Sequence, residues 1–190
     1  MIETVKKFLP QKKLRVLDVG IGDGRNAQYF VDKGHEVVGV DFSSKAIALC
    51  EKRFGNKVEL LQLDMTTENA CAFFQEKSFD LIVDWSVMDH VRRSLLSPYL
   101  FNLHSCLKLE GYLLSIQFEL CWIKILSSNS NKDWAITHGG HYSRGWKNPE
   151  SLQKTILDYL RDLPDNDYKK IFAKQILEQT FFNLLLLQKQ

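Results

Sequence analysis

The sequence predicts a doubly wound α/β domain, a mostly parallel sheet with helices on both faces, and three observations predict it. Leu17 to Phe30, LDVGIGDGRNAQYF, reads as a buried strand, a glycine turn and a helix. Two further apolar strands, Glu36 to Phe42 and Val58 to Asp64, bring carboxylates (Asp41 and Asp64) to the same edge. Phe181 to Gln188, FFNLLLLQ, is apolar on both faces, as only an interior strand can be.

Taken in order, residues 1–9 read as a short helix stopped by Pro10, within a short amino-terminal segment of residues 1–13. Arg15 to Val19 form the first strand and run into Gly20, Gly22 and Gly24. Glycine takes backbone angles closed to other residues and lets a ligand lie against the main chain. Ala27, Phe30 and Val31 then recur at helical spacing, and Gly34 ends that helix as a left-handed cap. The second strand is followed by a helix capped by Ser43 or Ser44, burying Ile47, Cys50 and Phe54 and stopping at Gly55. The third strand is Val58 to Asp64. The fourth strand and the turn after it are Phe79 to Val91, FDLIVDWSVMDHV. Ser97 and Pro98 mark the start of a helix with a Leu100, Leu103 and Leu107 stripe. A turn at Leu109-Glu110-Gly111 leads into a fifth strand, Tyr112 to Glu119.

Residues 120–148 form a long loop rich in aromatic and histidine residues, suited to cover a substrate or to pack onto the core. Asn148, Pro149 and Glu150 open a helix burying Leu152, Ile156, Tyr159 and Leu163 before Pro164. Tyr168 to Gln179 fits strand or helix, with strand preferred. One domain of 190 residues accommodates all of these elements.

The glycine spacing narrows the ligand. Dinucleotide sites use GxGxxG with the helix start cradling a pyrophosphate. Here the third glycine arrives one residue early, and Asp18 stands two residues before the first. A carboxylate repels a pyrophosphate but tolerates a ligand with ammonium and sulfonium centres. S-adenosylmethionine fits that description better than NAD. Asp41 lies 21 positions after Gly20, about where an acidic residue accepts hydrogen bonds from ribose hydroxyls.

LDVGIGDGRNA, GHEVVGVDFS and FDLIVDWSVMDHV together resemble the class I S-adenosylmethionine-dependent methyltransferases, nearest their small-molecule thiopurine and tellurite branch. The resemblance spans about residues 14–119. It implies a Rossmann-like, seven-stranded sheet whose last strand is antiparallel and lies inside, S-adenosyl-L-methionine as cofactor, and methyl transfer to a small molecule. Asp64 would hydrogen-bond the adenine amino group with Met65 against the ring. The alternative for Asp64 is to cap a helix begun near Thr66 or Thr67. The expected cofactor set is Asp18, Gly20, Gly22, Gly24, Asp41, Phe42, Asp64, Met65 and Asp84. Relatives often carry two histidines where this chain has Asp89-His90, a longer amino-terminal cap, and Lys-Pro-Gly-Gly where it has Leu109-Glu110-Gly111.

The end of the fourth strand faces the reacting methyl group, so Asp89 and His90 are the catalytic candidates and Trp85 a substrate contact. Trp122, His138, His141 and Tyr142 from the long loop complete the substrate set. His90 also reads as a packed turn residue. The NPPY-type sequence of base-amino DNA methyltransferases is absent, and no Lys/Arg run exceeds two residues, which argues against nucleic acid as partner. Cys50, Cys71, Cys106 and Cys121 form no CxxC pair and read as reduced thiols; no metal is expected. No leader or membrane span is evident, so a cytoplasmic monomer or weak dimer is expected. A domain that holds the cofactor without turnover and an NAD-linked oxidoreductase are the competing readings.

Overall fold

Alternation along β1 (Arg15–Val19) divides the core into two layers. Val16 packs with α1 (Ile2–Val5), α2 (Arg25–Asp32) and α3 (Ser44–Phe54), whereas Leu17 and Val19 pack with α4 (Leu96–Cys106) and α5 (Pro149–Leu160). Successive strand side chains point to opposite faces, so a strand in a doubly covered sheet reads as a near-continuous apolar run. The structure, a computed structural model, describes residues 2–74, 78–118, 134–136, 142–176 and 182–190.

The remaining strands are β2 (Glu36–Asp41), β3 (Glu59–Gln62), β4 (Phe79–Trp85), β5 (Leu107–Phe118), β6 (Trp134–Ile136), β7 (Tyr142–Arg144), β8 (Tyr168–Ile176) and β9 (Phe182–Lys189). Seven of them form one sheet in the order β3-β2-β1-β4-β5-β9-β8, and β6 pairs with β7 in a separate antiparallel ribbon. β1 to β5 run parallel, and β9 runs antiparallel between β5 and β8. The interior antiparallel last strand is therefore present. On it Leu184 and Leu186 face one layer, Leu185 and Leu187 the other, all fully buried. Each such leucine contributes about 1.5–3 kcal/mol on burial, an upper value because the unfolded chain is already partly compact.

Local chemistry sets the element boundaries. Ser43 Oγ accepts the Ala46 N–H to start α3, and Gly34 ends the α2 turn at φ +78°. Asn148 and Ser151 form a reciprocal capping box with Pro149 in the first turn of α5.

Several expectations shift. β3 ends at Gln62, and after Asp64 the chain makes a turn and a 3-10 helix (Ala70–Phe73) in place of an α-helix. A 3-10 turn at Arg93–Leu95 feeds α4, which starts at Leu96 and puts Pro98 at its third residue. The Leu109-Glu110-Gly111 turn is an insertion within β5. Pairing jumps from Phe79–Leu107 to Leu81–Tyr112, with Glu110 at φ +60°. In α5 Leu160 is buried and Tyr159 only partly covered, because 156 and 160 share a helical face, and Leu163 lies past the end of the helix, partly covered. Residues 168–176 are strand. No helix among the described residues is long and apolar enough to cross a membrane.

Candidate active site

Gly20, Gly22 and Gly24 adopt φ of +63°, +56° and +77°, left-handed angles that a β-carbon disfavours. Beyond that, they differ. A Cβ on Gly20 would stand 2.4 Å from Val87 Cγ2, and one on Gly24 2.4 Å from Phe54 Cε2. For Gly22 the nearest atom is the Gly20 carbonyl at 3.8 Å. Packing dictates the outer two glycines; only the middle one of the three leaves its backbone open. α3 holds the turn from below: Cys50 Sγ donates to Gly22 O at 3.3 Å, and Arg53 Nη1 donates to Asp23 O at 2.7 Å.

A cavity of about 470 Å³ opens at the carboxyl ends of β1, β2 and β4, within the range of small-molecule sites. Val19, Gly20, Asp41, Phe42, Asp64 and Met65 form one part of its wall, and Val87, His90, Arg92, Leu95 and Tyr99 another. Asp41 accepts Gly22 N–H at 3.0 Å through Oδ2 and Ser43 N–H at 2.9 Å through Oδ1. Phe42 is 75% exposed, whereas Met65 is buried. Asp64 Oδ1 accepts the Thr66 N–H and hydroxyl, both at 2.8 Å, so it organises a turn while its side chain stays exposed at the cavity.

Asp18 and Asp84, like Asp89, are fully buried near this edge. Neither Asp18 oxygen meets a donor at hydrogen-bond geometry. Burial raises its pKa to about 8, helped by the charges of Asp41 and Asp23 and opposed by the Ala27 N–H. Asp84 is pushed up to about 6 by burial, held back by Gln117 and the Met88 and Val87 N–H groups. Its Oδ1 accepts those two N–H groups at 3.2 and 3.3 Å and so shapes the turn after β4. Neither Asp18 nor Asp84 lines the 470 Å³ cavity.

The structure separates the two catalytic candidates. His90 is exposed and lines the cavity, its ring edge-on to Phe118 at 6.0 Å. Asp89 is fully buried, and both its oxygens accept the Phe118 N–H, at 2.9 and 3.0 Å. Trp85 does not line the cavity; it lies edge-on to Phe182 at 6.2 Å. Trp122, His138 and His141 lie outside the described residues, and Tyr142 is placed only by its backbone, in β7. Trp146, from the same loop, is buried in the core and donates to Thr155 Oγ1 at 3.1 Å.

Sequence reasoning missed Tyr99, Arg92 and Leu95 in the cavity wall, and it missed Gln117. That buried amide donates to Asp84 O at 3.1 Å and Ser115 Oγ at 2.9 Å, and accepts the Asp89 N–H at 3.2 Å. A lone amide in the apolar run LLSIQF was the available signal.

The methyltransferase domain family matches residues 16–111. The ubiquinone biosynthesis O-methyltransferase of Pelagibacter ubique is 30% identical over 82 residues, 43% of this chain. That of Bartonella tribocorum is 25% identical over 171 residues, 90% of this chain. The chain spans 33% and 62% of the lengths of these two relatives. The fold is similar to Burkholderia thailandensis 1,6-didemethyltoxoflavin-N1-methyltransferase, solved with bound 1,6-didemethyltoxoflavin and S-adenosylhomocysteine, at TM-score 0.70 and 20% identity over 94% of this chain and 72% of that one. Sheet order, glycine turn and family match agree: the chain belongs to the methyltransferase domain family, with the class I S-adenosylmethionine-dependent fold.

Proposed function

We propose that the cleft binds S-adenosylmethionine and that the chain transfers its methyl group to a small molecule by in-line displacement. The observation that carries this reading is Asp41, a carboxylate at the end of β2, tied to the glycine turn and facing the cavity. The residues present suit the cofactor. Asp18 is a buried carboxyl whose oxygens meet no donor at hydrogen-bond geometry, the Ala27 N–H being the nearest help, and such a group calls for an explanation. A ligand bearing positive charge supplies one. Gly22 leaves open the space that a Cβ would fill, while its N–H and carbonyl are held by Asp41 and Cys50. Asp41 would take the ribose hydroxyls, Phe42 and Met65 the apolar ring faces, and the second Asp64 oxygen the adenine amino group.

Bound S-adenosylmethionine supplies an electrophilic methyl group on a sulfonium. The protein's part is to hold the acceptor in line, worth on the order of 7–11 kcal/mol, and to exclude water. His90, exposed at the cavity wall, is the group placed to take a proton from an acceptor that arrives protonated. Asp89 supports it indirectly by fixing the end of β5. The names of the curated relatives favour a hydroxyl oxygen as the first acceptor to try, ahead of the thiols, amines and metalloid oxyanions.

Calorimetry with S-adenosylmethionine, followed by methyl-labelled cofactor and a panel of those four acceptor classes, tests the reading. Binding with transfer supports it. Binding without transfer to any acceptor favours a domain that only holds the cofactor, and absence of binding ends the proposal.

A further inference from the structure

At the opposite edge of the sheet, where β1 and β2 begin, the chain forms a second groove of about 640 Å³. It lies between the 3-10 turn Lys6–Phe8, the loop of residues 9–14 and the end of α2. Five lysines line it: Lys6, Lys7, Lys12, Lys13 and Lys33. The first thirteen residues hold four of them against one glutamate, a net +3, while the whole chain is only +2. The chain's positive excess is thus concentrated at this one place.

Little of that charge is neutralised. Lys6 pairs with Glu3, and Lys12 Nζ stands 3.9 Å from Asp80, which Lys108 approaches more closely at 3.1 Å. Among the described residues, Lys7, Lys13 and Lys33 make no ion pair within 4 Å, although Lys33 shares the charge of Glu3 with Lys6 at longer range. All three are exposed, and Lys7 lies over the Phe8 ring at 5.0 Å. His35, which also lines the groove, accepts the Leu14 N–H at Nδ1, so in the neutral ring Nε2 carries the proton. Like charges gathered without counter-charges repel one another unless an anion joins them.

We propose that this groove is a binding site for a soluble diphosphate-bearing ligand, separate from the cofactor cleft. A phosphate group carries about −1.5 to −2 charges at neutral pH, so two of them match the positive charge that the ion pairs of this groove leave over. Lysine binds phosphate as a point charge without a fixed fork, and arginine is absent from the lining. The lysines ring a concavity too large for a single phosphate, and a concavity suits a small polyanion better than a flat lipid surface.

The test uses the full chain and inorganic pyrophosphate in calorimetry at ~10 mM ionic strength, where the screening length is ~30 Å. Saturable one-to-one binding is expected, weakened at least about tenfold in a Lys7→Glu/Lys13→Glu/Lys33→Glu variant, with S-adenosylmethionine affinity and melting temperature unchanged. A Lys→Gln version of the same variant guards against loss of folding. Absence of saturable heat, equal affinity for inorganic phosphate, or undiminished binding by both variants would overturn the proposal. So would sedimentation with phosphatidylglycerol vesicles in the absence of pyrophosphate binding, which would make this a lipid-facing surface. The cofactor titration is read independently, so failure here leaves the methyltransferase reading untouched.

Discussion

Asp41 Oδ2 accepts the Gly22 N–H at 3.0 Å and thereby ties the end of β2 to the middle of the glycine turn. Cys50 holds the same glycine through its carbonyl at 3.3 Å, so Gly22 is fixed by both its N–H and its carbonyl. One carboxylate orients the turn and presents charge to the cavity. Asp41→Ala therefore weakens S-adenosylmethionine binding at least about tenfold, since hydrogen bonds to a charged acceptor are worth about 1.5–3 kcal/mol each. Calorimetry giving wild-type affinity would remove Asp41 from the site.

Gly22 and Gly24 separate binding from stability. Gly22→Ala costs about 1–2 kcal/mol for its left-handed backbone, yet meets open space, so it folds and loses cofactor affinity. Gly24→Ala drives a methyl group to 2.4 Å from the Phe54 ring and lowers the melting temperature more than Gly22→Ala does. Thermal melts beside cofactor titrations check the contrast. Equal destabilisation by both would contradict it.

Asp18 makes stability and binding respond oppositely to pH. Its carboxyl is raised from 3.8 to about 8 by burial, so between those values the folded state holds a proton that the unfolded state has released. Stability from this group is full below pH 3.8 and is lost as pH rises through about 8. Asp18→Asn removes that loss. The ligand-free variant melts higher at pH 8, by about 2–4 °C for each kcal/mol recovered. Cofactor affinity in the parent protein rises with pH up to the same point, as the carboxylate forms beside a cationic ligand. A pH-independent affinity, or no stabilisation in the variant, argues against this role.

His90→Gln lowers the rate for a hydroxyl acceptor by about 10²–10⁴-fold in a methyl-transfer assay. Cofactor affinity stays within about twofold if His90 meets only the acceptor. Asp89→Asn acts differently. It leaves one oxygen on the Phe118 N–H and shows itself mainly as a lower melting temperature.

The seven-stranded topology was legible through the resemblance carried by the glycine turn and the strand motifs, while the interior place of the last strand suits the two-faced apolar run FFNLLLLQ. Caps were legible because Ser43, Asn148 and Gly34 act on their own neighbours. The start of α4 and the insertion in β5 were not, because a 3-10 turn and a register jump depend on what each segment packs against.

By itself the sequence determined that Asp41 ends its strand and where the glycines fall, since both follow from local spacing along one chain. Tertiary structure decided that two of those glycines answer to Val87 and Phe54 and that Asp89 is buried while its neighbour His90 faces the cavity. It also gathered Lys33 with lysines twenty or more positions earlier. Contacts between residues far apart in the chain are set by how layers stack, and no short window of sequence contains both partners.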